Sequence, residues 1–229
     1  MSLPKFIKPL KKIHIPSLDR DVEFEPYTTA DEKAIISMES ASTYEKCKIQ
    51  LDILAKCCMD KTVDFESLCV MEISWLFIQL RKISVSGTID LTTKCQKCEQ
   101  DVNISINIDD VTFNSEALKP LEFQLQTSEG PYILHCEHFR CSDLQYIDAD
   151  NIKYDDLARY IRYMYQADGN NILELTPDEQ VEVFLQLDAS SAKKIADYST
   201  TMPKMKYKIA LDCPECGQHI EGELEDFFI

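Results

Sequence analysis

Two Cys-x-x-Cys pairs constrain this chain more than any other feature: Cys95-Gln-Lys-Cys98 and Cys213-Pro-Glu-Cys216. Each lies between two stretches in which apolar residues alternate, the pattern of β-strands. Val85 to Leu91 precedes the first pair and Val102 to Ile108 follows it; Tyr207 to Leu211 and Ile220 to Leu224 flank the second. A Cys-x-x-Cys at a hairpin tip turns both sulfurs to one side, so two tips can supply four thiolates to one tetrahedral ion. The 114 residues between Cys98 and Cys213 make a shared site a statement about tertiary structure, one that ties the middle of the chain to its end. Cys95, Cys98, Cys213 and Cys216 are the expected ligands, and structural Zn(II) the expected ion. Reduced thiols without an ion, an iron site and a redox-active dithiol are the other states these residues allow. A redox dithiol fits less well, because thioredoxin-like pairs open a helix after a strand. Gly217, directly after the second pair, suits the left-handed backbone of such a knuckle; Glu99 holds the matching place after the first.

The other cysteines point to a reducing compartment. Ten cysteines spread over 229 residues, with Cys57 and Cys58 adjacent, do not read as a disulfide framework. A second ligand-rich stretch, His135-Cys136-x-His138-x-x-Cys141, follows no metal spacing. Strand alternation over Tyr132 to Cys136 splits its side chains between two faces. Buried thiols beside satisfied or exposed histidines are expected there, with a second site or a rival ligand as the alternative.

A net charge of −16 argues against sequence-independent nucleic-acid binding, which depends on neutralising phosphates with Lys and Arg. It suits a protein whose partners carry basic patches. No apolar run approaches the roughly 20 residues that span a bilayer, and the N-terminal stretch lacks the apolar core of a secretory signal. Catalytic signatures are missing: the five glycines form no phosphate-cradling loop, and no nucleophile elbow or His-Glu-x-x-His run occurs. The expectation is a non-enzymatic protein.

Residues 1–18 carry four lysines, three prolines and no acid. They read as an extended arm, either an edge strand over the chain's own acidic surface or a docking element whose Lys5, Lys8, Lys11 and Lys12 meet a partner. Val22 to Tyr27 alternates as a short strand. Thr29-Ala-Asp-Glu32 reads as a capping box opening a helix to about Glu39. Helices are expected from Thr43 to Met59 and from Cys69 to Ile83, the latter apolar nearly all round and hence central. Beyond Asp110, two strands flank Ser128-Glu-Gly-Pro131, and a short helix runs from Asp143 to Ile147. Spacing of Leu157, Ile161 and Met164 along one face predicts a helix from Asp155 to Tyr165, with Arg159 and Arg162 off that face. Thr176-Pro-Asp-Glu179 opens another to Leu187, and Ser190 to Tyr198 is the last.

Four passages together resemble a known family: Ile15-Pro-Ser17, the Val22 to Lys33 stretch, the helix Glu72-Ile-Ser-Trp-Leu-Phe-Ile-Gln-Leu-Arg-Lys-Ile-Ser-Val85, and the Cys-x-x-Cys hairpin after it. They are similar to the baseplate hub and hub-assembly proteins of T-even-type contractile-tailed phages. The likeness covers residues 1–112, with Glu72 to Val85 its most specific part, and the remainder matches in general layout. It implies assembly of the tail baseplate hub through contacts with other hub proteins, in the host cytoplasm, as a virion subunit or an assembly factor. The competing reading is a zinc-ribbon regulator of the transcription machinery, against which Glu99, Asp101, Glu215 and Glu221 on the hairpins tell. The expected fold is α+β. An arm and helical bundle occupy 1–84, and the two hairpins, 85–112 plus 205–229, form a zinc-ribbon-like element. A mixed strand and helical region, 113–204, ends in C-terminal helices and packs with the rest as one unit.

Overall fold

The computed structural model describes residues 7–148 and 152–225, all but the side chain of Glu39. The chain forms two compact units: residues 1–65, 71–114 and 204–229 make the first, and 66–70 with 115–203 the second.

In the first unit, β1 (Lys11–Ile15) and β2 (Arg20–Phe24) form an antiparallel hairpin. Its alternation buries Ile13, Ile15, Val22 and Phe24. After β2 the chain enters α1 (Thr29–Ser37), α2 (Thr43–Cys57) and α3 (Val70–Ser84). Helix α1 is capped one residue earlier than the sequence suggests. Asp31 accepts from the amide and hydroxyl of Thr28, at 2.8 and 2.7 Å, and from Lys56 of α2 at 2.5 Å. Both registers offer a hydroxyl followed by an acid; the buried one that a lysine reaches is the one used. Ile73, Leu76, Ile78 and Leu80 of α3 are fully buried, and Trp75 stacks on Phe113 at 5.4 Å.

Two further hairpins complete this unit. One is β3 (Thr88–Lys94) with β4 (Asp101–Asn107); in the other, β10 (Met205–Asp212) pairs with β11 (His219–Glu225). Strand β10 also takes β5 (Thr112–Phe113) at its start, through Met205 and Lys206.

The second unit is built on a four-stranded antiparallel sheet in the order β6 (Leu121–Thr127), β7 (Gly130–Cys136), β8 (Ile161–Gln166), β9 (Leu173–Glu174). Leu134 and Cys136 of β7 are completely buried. Helices α4 (Pro177–Gln186) and α5 (Ala189–Ser199) follow the sheet. Thr176 caps α4, with the Glu179 carboxylate accepting from its amide at 2.8 Å.

The expected α+β layout is therefore corrected. No N-terminal helical bundle with a set of C-terminal helices forms; the fold is mixed α/β, with eleven strands in mostly antiparallel sheets among the described residues. The opening arm is half of a hairpin packed with the helices, and the region expected to close in helices has a sheet as its base. The predicted helix from Asp155 to Tyr165 is instead a 3-10 turn, Tyr154–Tyr160, running into β8. Pairing with the edge of β7, Leu134 opposite Met164 and His135 opposite Tyr163, outweighs a helical period in a segment rich in aromatic and β-branched residues.

Candidate metal centre

The turns closing β3–β4 and β10–β11 are built alike. In the first, the Cys95 amide donates to the Gln100 carbonyl and the Glu99 amide to the Cys95 carbonyl, both at 2.9 Å. In the second, the Cys213 amide donates to Gln218 at 2.8 Å and the Gly217 amide to Cys213 at 2.9 Å. Both turns need a left-handed residue at the same place. Gly217 supplies it at φ 66° and Glu99 at φ 58°, the latter against the preference of a residue with a Cβ.

The two knuckles bring all four cysteines together, with their sulfurs within 4.8 Å of one another. Cys95 and Cys216 approach to 3.7 Å, as do Cys98 and Cys213. Partners thus pair across the hairpins, with the leading cysteine of each turn against the trailing cysteine of the other. Sulfurs 3.7 Å apart are far outside the roughly 2.05 Å of a disulfide. A tetrahedron with metal–sulfur bonds of about 2.3 Å has edges of about 3.8 Å, so the spacing fits a four-thiolate ion site. The four cysteines could hold a metal ion.

Cys95 and Cys213 are buried, and Val102 lies with them; Cys98, Cys216, Leu211 and Ile220 pack around this nucleus. The amides of Cys98 and Lys97 point at the Cys95 sulfur and draw its pKa down to about 6. Cys98 moves the other way, to about 12: the Gln100 amide favours its thiolate, but desolvation and the three neighbouring thiols outweigh that. Sulfurs this crowded do not all ionise without a cation among them, and a divalent ion reverses that balance. Four protein ligands leave no open coordination position, so such a centre is structural in kind. Beside it, a cavity of about 390 Å³ is lined by Lys94 and Lys97 from one hairpin and by His219 and Glu221 from the other.

The remaining candidates separate. Lys5 lies outside the described residues. Lys8 donates to the Pro26 carbonyl at 3.1 Å and stands 3.5 Å from Glu25, while Lys11 and Lys12 project exposed from β1. His135, Cys136, His138 and Cys141 form no ligand cluster. Both rings are buried and both are engaged: His135 between Glu122 at 2.8 Å and Glu137 at 3.1 Å, His138 donating from Nε2 to the Ala117 carbonyl at 2.9 Å. Burial holds His138 down to about 4, and it lifts the Cys136 thiol to about 12.

Sequence reasoning missed a buried ionic network in the second unit. Arg162, expected off the apolar face of a helix, instead forks onto both carboxylate oxygens of Asp143 at 3.1 and 2.6 Å. It also donates to the His138 carbonyl at 2.7 Å. Glu137 joins Arg140 at 2.5 Å. The available signal was the density of aromatic residues around Arg162, which marks a strand.

Among the described residues no helix is long and apolar enough to cross a membrane. Compared with known families, the chain matches the model described as T4 bacteriophage base plate protein over residues 8–229. No curated protein and no solved structure matches it.

Proposed function

The chain belongs to the T4 bacteriophage base plate protein family, and from that premise we propose that it is a non-enzymatic component of baseplate hub assembly. It acts through contacts with other phage hub proteins in the host cytoplasm, as a hub subunit or as a factor that completes the hub. The observation that carries this reading is the extent of the family match, which takes in segments of both units. The strongly acidic composition and the exposed lysines that open β1 support a role in protein–protein contact, with Lys5, Lys8, Lys11 and Lys12 as the arm that meets a partner. Affinity purification from infected cells tests it: hub proteins in the eluate support the reading, and polymerase subunits in their place overturn it.

The same reading gives Cys95, Cys98, Cys213 and Cys216 to one structural Zn(II). Four thiolates at a shared tetrahedral spacing form a donor set suited to zinc, and bound zinc supplies cross-linking charge without redox chemistry. Purified protein should contain about one zinc per chain, and Cys213→Ser should lose it along with thermal stability. Wild-type protein without stoichiometric zinc, or a Cys213→Ser variant that keeps it, overturns the assignment.

A further inference from the structure

The second unit carries an acidic, partly aromatic surface around α4. Residues 146–188 hold ten acidic and three basic side chains, a concentration well above the chain average. At its surface Tyr146, Tyr154 and Leu185 are 55, 63 and 68 % exposed. Three contacts place them around α4. The Tyr154 ring lies 5.4 Å from Phe184, the neighbour of Leu185, and the Arg159 guanidinium rests 4.9 Å over the Tyr146 ring. Arg159 also donates to the Pro177 carbonyl, in the first turn of α4, at 2.6 Å. Along α4 itself Asp178, Glu182 and Leu185 share one outward face by their spacing of four and three. Asp155, Asp178 and Glu182 enter no salt bridge among the described residues, whereas acids elsewhere, such as Asp31, Asp143 and Glu225, do. An apolar surface rimmed by uncompensated carboxylates fits a basic segment bearing apolar side chains.

The chain carries such a segment. Ile7 is 99 % and Leu10 44 % exposed, and exposed Lys11 and Lys12 follow directly. Glu25 and Pro26 hold Lys8 and so fix the base of the arm, leaving these four side chains outward. We propose that the arm around Ile7 to Lys12 of one copy docks on the α4 face of a second copy, Lys11 and Lys12 meeting Asp178 and Glu182 while Ile7 and Leu10 cover Tyr154 and Leu185. The contact joins different surfaces of the two copies; made reciprocally it closes a dimer, and made in one direction it propagates to a ring or an open chain of subunits. Net repulsion between chains of charge −16 is screened beyond about 8 Å at physiological salt, so the local complementarity governs the contact. The proposal rests on the reading of the arm as a docking element and is independent of the metal centre.

Sedimentation velocity over a range of concentrations tests it on the full chain. Concentration-dependent self-association is expected, weakened about tenfold by Lys11→Glu with Lys12→Glu, and by about as much through Asp178→Lys with Glu182→Lys. Combining the four substitutions should restore it, which a merely structural role for any of them does not produce. A labelled peptide of residues 1–12 should bind the unmodified chain, and Leu185→Ser should weaken that binding about tenfold. A monomer at every concentration, or association indifferent to both reversals, overturns the proposal. If the reversed variants fail to fold, the peptide decides: absence of binding overturns the proposal equally. A chain that stays monomeric while its arm variant loses co-purifying hub proteins refutes the self-contact and leaves the assembly reading intact.

Discussion

Replacing Gly217 by alanine and Glu99 by glycine should move stability in opposite directions, although the two positions are structural counterparts. Both residues have positive φ, 66° and 58°, and both amides close the same hydrogen bond to the leading cysteine of their turn. A Cβ in the left-handed region costs about 1–2 kcal/mol. Alanine also narrows the unfolded ensemble, which returns about 0.4–1 kcal/mol. A Cβ at Gly217 meets no atom within 4 Å, so no steric term enters. Gly217→Ala should therefore destabilise by about 1 kcal/mol, and Glu99→Gly should stabilise by a similar amount. For a chain of this length about 1 kcal/mol displaces Tm by about 2–4 °C. Gly222→Ala is the control, since Gly222 has no positive φ and equally open surroundings. Urea and thermal unfolding of the three variants, each with its metal content measured, give the comparison. A Gly217→Ala protein as stable as wild type, or a Glu99→Gly protein less stable, refutes the argument that backbone strain at the two knuckles is what distinguishes them.

Three further outcomes follow from buried charge. Asp31 is desolvated, which raises its pKa, but the hydrogen bonds from Lys56 and Thr28 outweigh this and bring it to about 2 from 3.8. The depressed value means stability present above pH ~4 and lost as pH falls toward ~2, about 2 kcal/mol in all. Lys56→Met should remove most of that acid-side slope in urea titrations between pH 7 and pH 3. In the second unit Asp143→Ala leaves Arg162, 8 % exposed, without its fork, and should destabilise by about 3–5 kcal/mol in chemical unfolding. Burial raises the pKa of Glu72, whose Oε1 accepts from the Ser17 amide at 2.7 Å while Oε2 has no partner. A raised carboxyl pKa costs stability as pH rises past the unfolded value, so Glu72→Gln, which keeps the acceptor, should raise Tm at pH 7 and flatten its dependence on pH.

The parts of the molecule legible in its sequence are those where local chemistry decides. The cap of α4 is one: Thr176, Pro177 and Glu179 serve the first turn of the helix they open, whatever packs against it. The strands of the two knuckle hairpins are another, because alternate burial of Val102, Ile104 and Ile106 is written directly in the residue pattern. Residues 155–165 were misleading for the opposite reason. Leu157, Ile161 and Met164 satisfy a helical period, but β7 offers an edge of backbone donors and acceptors that only tertiary structure reveals. Once β8 forms, Arg162 points into the unit and needs Asp143, a residue nineteen positions earlier. The arm was ambiguous in the same way: alternation of Ile13 and Ile15 is compatible with any extended segment, and pairing with Val22 and Arg20 makes it a hairpin. At the four-cysteine cluster the residues brought together and the Gly217 turn were readable. The strain at Glu99 and the crosswise pairing of sulfurs belong to the packed state.

The contact between the two knuckle hairpins depends on what lies at their tips. Among the described residues, β3 and β4 form a sheet of their own and β10 and β11 share a sheet with the short β5, with no backbone ladder between the two hairpins. Their tips meet through side chains alone, around Cys95, Val102 and Cys213. That is a small apolar nucleus, and in it desolvation and the neighbouring thiols outweigh the Gln100 amide and hold the Cys98 thiol up to about 12. An ion held by the four sulfurs would turn the same crowding into bonds. The approach of Cys95 to Cys216 spans more than a hundred residues of chain, and closing a loop of that length costs entropy. A bound ion would offset that cost, so chelation that strips metal from the purified protein should lower the stability of the first unit with it.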